Sequence, residues 1–150
     1  MNDSSTILTA QEQDERVLAA LSHAAVLLPV TGIIAPILIW VTQKDKSSYV
    51  RFQALQAVAF HLLLIVIWLL GWGAYMVGIF GAMGFSILLD GSNGDAGPFF
   101  ILPILLMCLL FLILIVFMVY GIVAAVMTFQ GKPFRYLVIG GLVEQQQKRA

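Results

Sequence analysis

The sequence predicts an all-α membrane protein: a small bundle of three long transmembrane segments, the first kinked or re-entrant, and so three to four helices. Three observations predict it. Hydrophobic residues make up 61% of the 150-residue chain and charged residues 11%, where soluble domains hold roughly half apolar and a quarter charged residues. Charged side chains are absent from 17–43, 52–89 and 96–131, and each run exceeds the roughly 20 residues a helix needs to cross a hydrocarbon core of ~30 Å. The basic residues also sort by loop. Lys44, Lys46 and Arg51 lie in 42–53, and Lys132, Arg135, Lys148 and Arg149 lie in 132–150, while 90–98 has none. By the positive-inside bias the first loop and the tail are cytoplasmic and 90–98 is exterior, which gives a multi-pass membrane protein.

The chain divides into a polar acidic head (1–16), a helical membrane domain (17–131) and a basic tail (132–150). The head carries Asp3, Glu12, Asp14 and Glu15 against Arg16 alone. A secretory signal places positive charge before its apolar run, so this head is expected to stay on the protein. Thr9, followed three residues later by Glu12, forms a capping-box signature that starts a helix near Ala10 and runs it toward Leu28, with an interruption at Pro29.

The first apolar segment, 17–41, holds Pro29, Thr31, Gly32 and Pro36, which remove donors and loosen a helix at its middle. Two readings follow. One kinked span would put the acidic head outside, in keeping with its single basic residue. A re-entrant pair of half-length helices would return the chain to the side it came from, and would need the other helices to cover the break. Charge alone leans to the kinked span.

The second segment starts at a Ser47 or Ser48 cap. Its uncharged run is too long for one upright span, yet it lacks the polar turn that two spans require. One long helix is expected, with its first turns at the cytoplasmic interface. The run 90–98, DGSNGDAGP, is turn chemistry throughout. The third segment, 99–129, has Pro103 near its start, where a missing donor costs little.

The stretches LAALSHAAVL, IWVTQKDKSSYVRFQALQAVAFH and GKPFRY resemble the small bacterial membrane proteins related to the twenty-kilodalton subunit of the chloroplast Tic translocon. The match is strongest from Ser48 to His61 and weaker at the close, where Leu137 follows Tyr136 in place of the family's proline. The resemblance implies a helical protein of the cell (inner) membrane, with about four helical segments and both ends on one side, which favours the re-entrant reading, and a link to protein translocation. It offers no catalytic residue to carry over.

Candidate sites are few. His23 and His61 lie in or near the bilayer, where an ionisable group is a functional candidate. Two histidines without a carboxylate or cysteine partner make a poor metal set, so no metal, cofactor or catalytic residue is assigned. Cys108 stands alone, without a disulfide or redox partner. Gln53, Gln56 and His61, which α-helical spacing gathers loosely on one side of the second segment, form with Arg51 a candidate polar mouth. Ala74, Gly78, Gly81 and Gly84 are expected to form a close contact with Gly121 and Ala125 of the third. Trp40, Tyr49, Trp68 and Trp72 read as interfacial anchors.

Eight basic and eight acidic residues cancel, leaving no net field for nucleic acid. The expected partners are the lipid bilayer and other membrane proteins or further copies of the chain. The absence of a nucleophile with a base, a phosphate loop or a cofactor motif points away from an enzyme. The expectation is a subunit or assembly factor of a membrane complex, with a small oligomeric channel or transporter as the alternative.

Overall fold

The computed structural model describes residues 9–28, 31–90, 97–132, 134–137 and 139–147. The described residues form helices and the turns between them, without strands: α1 (Ala10–Ala24), two short 3-10 turns (Ala25–Leu27 and Thr31–Ile33), α2 (Ile34–Gln43), α3 (Ser48–Asp90), α4 (Gly97–Phe129) and α5 (Ile139–Gln147). The interruption expected at Pro29, most of the 90–98 loop, the first eight residues of the head and the basic pair Lys148 and Arg149 lie outside the described residues.

Two of the three expected long segments are present as single helices. Among the described residues two stretches are long and apolar enough to cross a membrane, Ser48–Leu88 in α3 and Phe100–Phe129 in α4. Ser47 caps α3 through its Oγ, which accepts from the Val50 N–H at 3.2 Å. Such a cap satisfies one of the orphan donors of a first turn. At the start of α1 both halves of the capping box form, the Glu12 N–H donating to Thr9 Oγ1 at 3.3 Å and the Thr9 N–H donating to the Glu12 carboxylate at 3.0 Å.

The first apolar segment is not a long span, and the kinked reading is corrected. α1 ends at Ala24, a 3-10 turn follows, and α2 returns from Ile34. The base of this hairpin sits at the α3 and α4 ends: Glu12, Glu15 and Arg16 of α1 share a cleft with Tyr49 and Gly131. Its tip lies deeper along the same helices, where Val26 abuts Gly121 and Gly32 abuts His61. A kink would have carried α2 onward, away from α1's start. The physical reason for the reversal is the local sequence: Gly32 fits against the Ala25 carbonyl, where any Cβ would collide, and its N–H closes the turn onto the Leu28 carbonyl at 2.7 Å.

The chain forms two compact units, residues 1–62 with 118–150, and residues 63–117. The first unit is knit by small residues that let helices approach closely, with Ala19, Ala54, Ala57 and Ala124 fully buried. Among the described residues the second consists of stretches of α3 and α4. Gly71 of α3 faces Leu110 of α4, and Gly78 faces Pro103. Seven residues forward on one helix match seven back on the other, so the pair is antiparallel. Trp68 and Trp72 stack at 6.0 Å on α3, with Tyr75 following.

Candidate functional site

The polar residues of the first unit converge on one buried cluster. Gln53 and Gln56 lie one turn apart near the start of α3, His23 near the end of α1, and Phe134 and Tyr136 in the strap between α4 and α5. Gln53 is 2% exposed, Gln56 0%, His23 1% and Tyr136 3%. Polar groups so buried persist only when their hydrogen bonds are made. Here they make them with one another.

The connectivity assigns the protons. Gln53 Nε2 donates to the Phe134 carbonyl at 3.2 Å, so its Oε1 is the acceptor that faces His23 Nε2 at 3.1 Å. That makes His23 the Nε2–H tautomer, and its Nδ1 then accepts from the Tyr136 hydroxyl at 3.0 Å. Gln56 completes the set: its Oε1 accepts from the Tyr136 N–H at 3.1 Å, and its Nε2 reaches the Phe134 carbonyl at 3.4 Å and Gln53 Oε1 at 3.5 Å. Burial pushes the Tyr136 hydroxyl well above the ordinary phenol range, so it remains a donor at any physiological pH.

Aromatic rings wall the cluster. Phe60 stacks on Tyr136 at 4.3 Å, and Tyr120, Phe134 and Tyr136 meet edge to face at 5.0–5.7 Å, the geometry aromatic quadrupoles favour. Arg135, between the two inward-facing aromatics, turns the other way and lies 5.8 Å from the centre of the Phe52 ring.

The expected open mouth is therefore a closed brace. Gln53 and Gln56 face the protein interior because the strap residues, about 80 positions later, lie over them. His61 is also buried, at 1% exposure, but stands apart: its Nδ1–H donates to the Ala57 carbonyl at 2.8 Å, and its Nε2 has no hydrogen-bond partner among the described residues. Arg51 is half-buried, and its Nε is likewise without a partner there.

The small residues fall in different surroundings. A Cβ on Gly78 would rest at 3.5 Å from Pro103, whereas one on Gly81 or Gly84 would meet nothing within 4 Å among the described residues. Ala74 is exposed. Gly121 packs on Val26, and Ala125 lines an apolar groove with Leu21, Ala24 and Phe129, so these two α4 residues face the hairpin. His23, Phe134 and Tyr136 complete the brace but were not grouped with the glutamines in the sequence. The available signal was the GKPFRY close, whose aromatics follow directly on an uncharged span.

Among the described residues no group of three or more His, Cys, Asp or Glu side chains is placed to hold a metal ion. Two long apolar helices, a helical hairpin beside them and a buried polar brace define a helical membrane protein. Residues 14–143 match the MamF/MmsF family, described as the magnetosome magnetite crystal formation protein family, and the chain belongs to it. That match overturns the resemblance to the Tic translocon subunit, together with the translocation link it implied. No curated protein and no solved structure matches the chain.

Proposed function

We propose that this protein is a non-catalytic, multi-pass membrane subunit or assembly factor acting in magnetite crystal formation at the magnetosome. The observation that carries the reading is the family match over 14–143, which takes in nearly every helix of both units. The brace supports the non-catalytic part. Its side chains direct their donors and acceptors at one another and at the Phe134 and Tyr136 main chain, as structural polar networks do. In this reading the 42–53 turn and the 132–150 tail face the cytoplasm and 90–98 faces the opposite side, following the distribution of basic residues.

The test is complementation. A magnetosome-forming host deleted for its own family members would express this chain with a fluorescent tag, and crystal dimensions would be measured by electron microscopy. Recovery of parental crystal size with the tag on magnetosome membranes is the expected result. A stably inserted protein that neither reaches those membranes nor changes the crystals would refute the proposal.

A further inference from the structure

We infer that the α1–α2 hairpin is a one-leaflet insertion that makes the protein favour convex membrane on the hairpin side. The inference rests on the reading that the chain is embedded in a bilayer, but not on a magnetosome role. Its partner is the acyl layer of a single leaflet.

Depth carries the argument. At the base, a Cβ on Gly131 would run into the Arg16 guanidinium, and the Tyr49 hydroxyl reaches the Thr128 carbonyl at 3.4 Å. At the tip, Val26 meets Gly121. From Gly131 to Gly121 along α4 is about ten residues, or about 15 Å of helix. The hairpin's own arms agree, since α2 has 10 residues and the path from Arg16 to Val26 is of equal length. A depth of about 15 Å is half of a ~30 Å hydrocarbon core.

The surface and backbone suit immersion. The hairpin has no charged residue from Val17 to Gln43, and Leu21, Leu27, Leu28, Ile34 and Leu38 are each more than half exposed. Lipid chains cover such residues without cost, whereas water does not. Irregular backbone at membrane depth must satisfy its polar groups internally. Here the Leu28 N–H bonds the Ala25 carbonyl at 3.0 Å and the Gly32 N–H bonds the Leu28 carbonyl at 2.7 Å.

The consequence is unequal area. Over the depth of the hairpin the first unit holds four helices, α1, α2 and the adjoining parts of α3 and α4, two more than the spans by themselves. With helices about 10 Å across, two extra ones add on the order of 150 Å² to one leaflet. Insertion confined to one leaflet is relieved where that leaflet is convex.

The experiment uses the full chain carrying Ser48→Cys, at the exposed neighbour of the Ser47 cap, in a Cys108→Ala background, labelled with a fluorophore and reconstituted into phosphatidylcholine vesicles of mixed diameter. An impermeant quencher separates molecules with Ser48 outside from those with it inside. With Ser48 outside, density per lipid should be at least about twofold higher on vesicles of about 50 nm than on those of about 400 nm. With Ser48 inside, the trend should reverse. A flat dependence, or the same trend in both orientations, would overturn the inference.

A second label at Leu28→Cys fixes the depth independently. Quenching by lipids brominated near the bilayer centre is expected. Quenching by an aqueous agent from the side opposite Ser48 would mean that the hairpin crosses, and would also overturn it. Either failure leaves the complementation test standing, and a failed complementation leaves the curvature result standing.

Discussion

Gln56→Met isolates what holds the strap. Methionine keeps the length and flexibility of glutamine and fills its volume, so the change removes polar atoms without opening a cavity. The Phe134 carbonyl keeps its bond from Gln53 Nε2 at 3.2 Å, and Gln53 Oε1 keeps His23. What is lost outright is the acceptor of the Tyr136 N–H at 3.1 Å. Leaving that one buried donor unsatisfied costs about 1–3 kcal/mol, equivalent to a roughly 5- to 150-fold rise in the population of a lifted strap. Hydrogen exchange in detergent micelles, followed by mass spectrometry, would report it on peptides covering 134–147. Exchange there should accelerate by that factor while the middle of α4 is unchanged. Unaltered protection of the strap would refute the reasoning, since it would show that the Tyr136 N–H does not depend on Gln56.

Gly121→Leu should destabilise the first unit by about 1–3 kcal/mol through overpacking, because a Cβ there comes within 2.7 Å of Val26 Cγ1. Gly81→Ala should be neutral or stabilising by up to about 1 kcal/mol, since its Cβ meets nothing among the described residues; thermal unfolding in detergent compares the two. Single cysteines at Ser5 and at Ser48, which is exposed, in a Cys108→Ala background should be protected alike from an impermeant thiol reagent in intact cells, and one at Ser92 should react; a reactive Ser5→Cys would restore the spanning reading. The Glu12 carboxyl is held below its ordinary range, first by the Thr9 N–H and then by the Thr9 hydroxyl. Its contribution to the α1 start is therefore present above the ordinary carboxylate pKa and lost as pH falls through the lower folded value. Amide exchange in the first turn of α1 should accelerate over that acidic window, relative to the corresponding exchange in Glu12→Gln.

The two long helices were legible because an uncharged run of such length has one main solution in a bilayer, and the Thr9 and Ser47 caps were legible because capping is local. The hairpin was not. Its break lies among Ala25, Leu28 and Gly32, where kinking and reversal leave the same charge pattern on either side, and the deciding contact joins Gly32 to a main-chain carbonyl that no residue letter encodes. The brace was half legible. Helical spacing put Gln53 and Gln56 together, but their partners are the Phe134 carbonyl and the Tyr136 N–H and ring, so burial was mistaken for a mouth. The glycine contact drawn between the far half of α3 and Gly121 followed small-residue spacing, which does not say which neighbour each glycine meets. Gly121 meets Val26 of the hairpin.

The brace also bears on the order in which the protein can be made. His23 and Tyr136 are 113 residues apart, and the Gln53 amide bonds a carbonyl 81 residues later. While the ribosome is still delivering α3 and α4, the imidazole and both glutamine amides have no strap to bond. An unsatisfied polar group costs several kcal/mol in hydrocarbon. The α1–α2 hairpin and the first turns of α3 are thus expected to linger near the headgroups, where water serves as the temporary partner, and to settle only after the GKPFRY segment has emerged. A chain truncated before Phe134 would retain its two spans yet leave this seat empty, so its hairpin should remain open to protease long after the full-length protein has closed.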